Sequence, residues 1–131
     1  MHRKTISTDR APAAIGTYSQ AVRCGELVFL SGQIPLSPAT MELVSNNFSE
    51  QARQAFDNLA AVAQAADGSL NHLVKLTIYL TDLDNFQAVN ELMAELFEEP
   101  FPARAAVEVS ALPRGAAIEV EAIMALAPPT Q

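Results

Sequence analysis

A chain of 131 residues, half of them apolar, suits one well-filled core and leaves no room for a second domain, so the whole span 1–131 is expected to fold as a single unit. Fifteen acidic against eight basic residues give a net charge of -7 with no basic cluster, which speaks against nucleic acid as the main partner. Apolar runs such as Leu27 to Leu30 and Ala122 to Pro128 fall far short of the roughly 18 residues that span a bilayer, so no membrane association is expected.

The polar opening Met1 to Thr5 lacks the apolar stretch of a signal peptide, and the single Cys24 cannot form an internal disulfide. Both features predict a reducing, cytoplasmic setting. Small apolar residues outnumber aromatic ones, leaving more hydrophobic surface than a thin core hides, and this predicts an oligomer.

The lead-in through Pro12 and Gly16 reads as irregular, and Tyr18 to Arg23 as a short strand turning at Cys24, Gly25 and Glu26. Leu27 to Leu30 is a continuous apolar run, the pattern of a strand buried on both faces, ending at Ser31 and Gly32. Gln33 to Thr40, with two prolines, follows as a loop.

From Phe48, apolar Ala52, Ala55, Phe56, Leu59, Val62, Ala63 and Ala66 recur at helical spacing. Asn47 is placed to cap this helix, Glu50 to reach back in a capping box, and Gly68 to take the left-handed stop. Leu73 to Leu80 alternates, with Val74, Leu76, Ile78 and Leu80 on one face and Lys75, Thr77 and Tyr79 on the other. Asp82 or Asp84 caps a second helix whose stripe is Phe86, Val89, Leu92, Met93, Leu96 and Phe97, ended by Pro100. Two final strands, Ala103 to Val109 and Ala117 to Leu126, flank a turn at Pro113, Arg114 and Gly115. The predicted order β, β, α, β, α, β, β defines an α+β fold with helices on one face of a sheet.

The sequence carries no glycine-rich phosphate loop, no C-x-x-C pair and no G-x-S-x-G elbow, and His2 and His72 are far apart, so no cofactor and no metal are expected. What remains is charge inside strands. Arg104, Ala106 and Glu108 share one face of their strand, a lone arginine in a hollow of small residues, and Glu119 and Glu121 share a face of the last strand. For Glu108 and Glu119 the plain reading is a solvated strand face. The functional reading has Arg104 gripping a carboxylate while a strand glutamate handles a proton or a water.

A-P-A-A-I-G-T-Y at residues 11 to 18, S-G-Q-I-P at 31 to 35, Q-A-R-Q-A at 51 to 55, F-P-A-R at 101 to 104 and I-E-V-E-A-I at 118 to 123 occur in order along nearly the whole chain. With these motifs the chain resembles the reactive-intermediate (imine) deaminase, Rid or YjgF-like, family. The resemblance implies a chorismate-mutase-like, YjgF-like mixed sheet with two helices packed on one face, and a homotrimer with sites between subunits. It implies a deaminase that hydrolyses reactive 2-imino acids, such as 2-aminoacrylate or 2-iminobutanoate, to 2-keto acids and ammonia, as part of metabolite damage control.

Matched by motif position, the family's working residues fall on Tyr18, Ser31 and Glu121 as catalytic groups and on Arg104 as the substrate carboxylate clamp. Ala106 stands where deaminase-active members commonly carry a cysteine, which removes any thiol role and leaves the backbone groups at Ala106 to contact substrate. The segment Phe97 to Phe101 is short relative to many members. The same resemblance admits a non-catalytic trimeric module binding small carboxylates, or a relative acting on a different imine or carbamate-like metabolite. Members described as translation inhibitors or ribonucleases fit this acidic chain least.

Overall fold

The computed structural model describes residues 2–127. Six strands, β1 (Lys4–Ile6), β2 (Ala21–Cys24), β3 (Leu27–Gln33), β4 (Leu73–Leu80), β5 (Ala103–Glu108) and β6 (Ile118–Ala125), form one sheet in the order β1-β2-β3-β6-β4-β5. Adjacent strands are antiparallel except β4 and β5, which run parallel and make the sheet mixed. A parallel pair requires a crossover, and α2 (Phe86–Leu96) supplies it, while α1 (Phe48–Ala65) links β3 to β4.

Both helices pack on one face. The apolar stripe of α1 buries Ala52, Ala55, Phe56, Leu59, Val62 and Ala63 against Val28, Leu30, Leu76, Ile78, Val120 and Met124 of the strands. Phe56 meets Phe97 edge to face, their centroids 6.0 Å apart. Two buried amides on α1 also fix the loop that follows β3. Asn58 donates to the carbonyls of Ile34 and Leu36 at 3.1 and 3.0 Å, and Gln51 donates to the Ser45 carbonyl while accepting from the Ala117 N–H.

The helix starts at the expected cap, with Asn47 Oδ1 accepting the Glu50 N–H at 3.0 Å, but the capping box does not close, because the Asn47 N–H donates to Ser45 Oγ rather than to Glu50. Its end differs. Asp67, at φ 69°, takes the left-handed position in place of Gly68, whose N–H returns to the Ala63 carbonyl at 2.9 Å. Glycine at position 68 answers a steric need instead, since a Cβ there would lie 2.5 Å from the Met124 sulfur.

Other boundaries shift for identifiable reasons. The lead-in contains β1, and β2 begins only at Ala21, because Gln20 is turned inward and its side chain bonds Thr8 N–H at 2.7 Å and the Thr8 and Pro12 carbonyls. Tyr18 therefore precedes the strand. The apolar run in β3 is not buried on both faces: Val28 and Leu30 are sealed, whereas Leu27 and Phe29 are 40% and 46% exposed, since no helix among the described residues covers their side. The strand also continues through Ser31 to Gln33 across a register shift. A second shift, between Leu73 and Lys75, brings Leu73 into the core and turns Val74 out. Asp82, not Asp84, is the capping carboxylate, and it opens a 3-10 turn at Leu83–Asn85 that runs into α2. No helix among the described residues is long and apolar enough to cross a membrane.

Candidate functional site

The register pairs Arg104 on β5 with Leu76 on β4, so the arginine emerges on the helix-covered face, but at the sheet's edge. There it meets α2, on which Phe86, Asn90 and Met93 recur at helical spacing along one side. Arg104 Nη1 donates to Asn90 Oδ1 at 2.8 Å and approaches the Met93 sulfur at 3.6 Å, and the guanidinium carbon lies 4.9 Å from the Phe86 ring centroid. The hollow around Arg104 is thus walled by α2 rather than made by its alanine neighbours.

Two cavities adjoin this guanidinium. One, of about 390 Å³, is lined by Asn90, Met93, Ala94, Phe101, Pro102 and Arg104; the other, of about 440 Å³, by Leu83, Phe86, Arg104 and Ala106. Among the described residues no carboxylate pairs with Arg104, the one side-chain ion pair being Arg53 with Glu95, and the donors of Arg104 other than Nη1 have no hydrogen-bond partner. Glu108, on the same strand face, is not merely solvated, because its carboxylate accepts the Leu83 N–H at 3.0 Å.

Glu121 lies on the opposite face. Its register partner is Thr77, and its Oε1 accepts a short hydrogen bond from the Tyr79 hydroxyl. This bond, burial and the nearby carboxylates push the Tyr79 phenol up to about 12, so it stays protonated and donates. Glu119, two residues along, is the glutamate whose proton affinity is raised, first by desolvation and then by the negative charge of Glu121. Its carboxylate packs over Gly32, where a Cβ would overlap it. A cavity of about 270 Å³ beside Glu121 is lined by Phe29, Lys75, Thr77 and Ile123 among others.

Ser31, on β3, is tied to the residue that follows Tyr18. The Ser31 hydroxyl donates to the Ser19 carbonyl at 2.6 Å, and the Tyr18 oxygen accepts the Ile15 N–H at 3.3 Å. Tyr18, 53% exposed, lines a cavity of about 250 Å³ with Gly32, Gln33, Ile34, Met41 and Arg114 among others.

The five candidates therefore fall into three places: Arg104 with Ala106, Ser31 with Tyr18, and Glu121 with Tyr79. The two cavities beside Arg104 do not reach Glu121, and the cavity beside Glu121 does not reach Arg104. The sequence pattern gives Phe86 only as part of a helical stripe and Tyr79 only as a strand-face residue, and it does not mark Asn90 at all. Asn90 was findable as a polar residue beside an apolar helical stripe, whereas Tyr79 depends on strand register.

Two helices on one face of a mixed six-stranded sheet, with a braced arginine at its edge, define an α+β protein. Residues 8–126 match the model of the family described as Endoribonuclease L-PSP. The chain is 50% identical over 121 residues to a RutC family protein of Sinorhizobium fredii, covering 92% of this chain and 96% of that protein. It is 46% identical over 126 residues to the 2-iminobutanoate/2-iminopropanoate deaminase of Mus musculus, covering 96% and 93%. The crystal structure of RidA from the Antarctic bacterium Psychrobacter sp. PAMC 21119 superposes with a TM-score of 0.91 at 51% identity, covering 94% of this chain and 99% of that one. The chain belongs to the YjgF/RutC/Rid family.

Proposed function

We propose that this protein is an imine deaminase, a hydrolase converting reactive 2-imino or enamino acids such as 2-aminoacrylate or 2-iminobutanoate to 2-keto acids and ammonia. The observation that carries the reading is Arg104, a guanidinium braced by Asn90 and Phe86, paired with no carboxylate among the described residues and open to two cavities. Its unused donors suit the fork-to-carboxylate geometry of a 2-imino acid. β5 is an edge strand, which leaves half its backbone groups outside the ladder, and this reading gives the main chain at Ala106 a contact with the substrate.

Glu121 orients the water that adds to the C=N carbon; the C–N bond of the resulting carbinolamine then breaks, ammonia leaves and the carbonyl forms. Tyr18, whose oxygen already accepts a backbone N–H, has its own proton available for the imine nitrogen. Ser31 donates to Ser19 and so serves the water or amine as an acceptor. Because Arg104 and Glu121 occupy opposite sheet faces, one small substrate reaches both only if neighbouring copies share a site, which favours a homotrimer with sites between subunits. A net charge of -7 gives an RNA backbone little to bind, whatever the family model's description.

The test is to generate 2-aminoacrylate with a pyridoxal-dependent dehydratase and follow keto-acid release with and without the protein and its Arg104→Ala variant. Acceleration by the wild type alone is expected. No acceleration overturns the deaminase reading. One observation favours a second reading, a trimeric module that binds small carboxylates without turnover: the Tyr79 hydroxyl quenches one oxygen of the proposed water-orienting carboxylate. In that case the thermal midpoint rises with 2-keto acids while no ammonia is released.

A further inference from the structure

Among the described residues, the hydrogen-bond and stacking partners of the Arg104 guanidinium are all uncharged: the Asn90 amide, the Met93 thioether and the Phe86 ring. The carboxylates nearest in sequence on β5 and α2 are engaged elsewhere. Glu108, on the same strand face, accepts the Leu83 N–H at 3.0 Å, Glu95 pairs with Arg53 of α1 at 2.7 Å, and Glu91 accepts from Gln87 at 3.5 Å. Glu91 and Glu95 are the only charged residues of α2, and the chain carries a net charge of -7, yet the acceptor that α2 aims at the guanidinium is an amide. An aspartate at position 90 would have nearly the same shape and would accept a stronger, charge-assisted bond. It would also neutralise the cation. Each of these contacts lies within one chain and owes nothing to open space at the edge of the sheet.

We propose that Asn90 is a positioning and specificity-determining residue, a neutral acceptor that sets the plane of the Arg104 fork without cancelling its charge, so that the site keeps its preference for anionic substrates. This rests on the reading of Arg104 as the substrate clamp and deepens it. Two effects are joined in one side chain. The hydrogen bond to Nη1 fixes a long, flexible side chain in advance, so less freedom is lost when the anion binds. The missing charge matters separately, because a carboxylate within about 4–6 Å of a second carboxylate disfavours its charged form. An asparagine supplies the first effect and avoids the second, whereas an aspartate would turn the clamp into a closed ion pair.

The experiment titrates the full chain calorimetrically with pyruvate and 2-oxobutanoate, the product anions of the proposed reaction, for wild type, Asn90→Ala and Asn90→Asp. The alanine variant loses one neutral hydrogen bond and should bind both anions about 2- to 12-fold more weakly. The aspartate variant keeps the shape and the acceptor and adds only the charge, so it should bind more weakly than the alanine variant, about 10- to 150-fold below wild type. Its thermal midpoint should be no lower than that of the wild type, which separates this loss from unfolding. With imine substrates the same order should appear in KM, with kcat held. If Asn90 only shaped the fold, aspartate would serve as well as asparagine. An aspartate variant that binds as tightly as wild type, or more tightly than the alanine variant, overturns this inference and leaves the deaminase reading standing. An alanine variant indistinguishable from wild type overturns the positioning role as well. Keto-acid affinities in the expected order, with no imine hydrolysed by the wild type, remove the deaminase reading while the role of Asn90 at an anion clamp stands.

Discussion

The two faces of the sheet obey the same alternation and come to different ends. On one, Leu76, Ile78, Leu80, Ile118, Val120 and Met124 are fully buried beneath α1 and α2. On the other, Phe29 is 46% exposed and Tyr79, Glu119 and Glu121 form a half-buried group of a phenol and two carboxylates. Alternation decides which residues share a face but not whether that face is covered. The proposed chemistry divides along the same line, with the anion clamp at the rim of the sealed face and the water-orienting carboxylate on the open one.

The largest effect should come from the open face. Glu121→Gln keeps the side-chain size while removing the negative charge, and kcat for the imine should fall about 100- to 10,000-fold if the carboxylate acts as a general base. A thermal melt of the same variant should stay close to that of the wild type. A loss of less than about threefold would confine Glu121 to a structural role with Tyr79.

Next comes a pair of phenylalanines, one from each face. Phe56 is wholly buried, so Phe56→Ala should cost about 3–5 kcal/mol in urea unfolding. Phe29→Ala should cost far less in an isolated protomer. If another copy covers the open face, the Phe29→Ala penalty will instead grow with protein concentration, because assembly stabilises only the folded state. A penalty that ignores concentration would argue against a cover at Phe29.

These residues also show how far the sequence could be read. The stripes of α1 and α2 were legible because a 3.6-residue period survives any tertiary context, and the Asn47 cap was legible because its chemistry is local. Strand alternation placed Glu119 with Glu121 correctly, and it failed at Val74, where a register shift that depends on the partner strand turns the pattern over. The run Leu27 to Leu30 misled because continuous apolarity marks either burial on both sides or a face awaiting a cover. The braces of Arg104 were illegible for a similar reason, since meeting Phe86 and Asn90 requires knowing that β5 lies at the edge beside α2.

The clamp itself should respond more modestly. Charge-assisted hydrogen bonds contribute about 1.5–3 kcal/mol, so Arg104→Ala should reduce kcat/KM about 10- to 150-fold, mainly through KM. Arg104→Lys retains the charge and loses both the planar fork and its stacking on Phe86, and should recover little of the loss. Nearly full recovery with lysine would mean that a point charge suffices and that the bracing by Asn90 is incidental.

The smallest effect separates the two glutamates of the open face. Burial and the charge of Glu121 raise the affinity of Glu119 for its proton above the ordinary value of 4.5, so the folded protein binds that proton more readily than the unfolded chain. The associated stability is fully present below about pH 4.5 and is lost as the pH rises through the raised folded-state value. Above that window the ionised carboxylate is a net penalty, half-buried beside a like charge. Glu119→Gln should therefore be more stable than the wild type at neutral pH, and the difference should shrink as denaturation is repeated at successively lower pH down to about 4. A difference that stays constant across the series would show that Glu119 titrates alike in the folded and unfolded states. The closeness of Glu121 would then carry no electrostatic cost, and the open face would resemble ordinary solvated surface more than a site held ready for a cover.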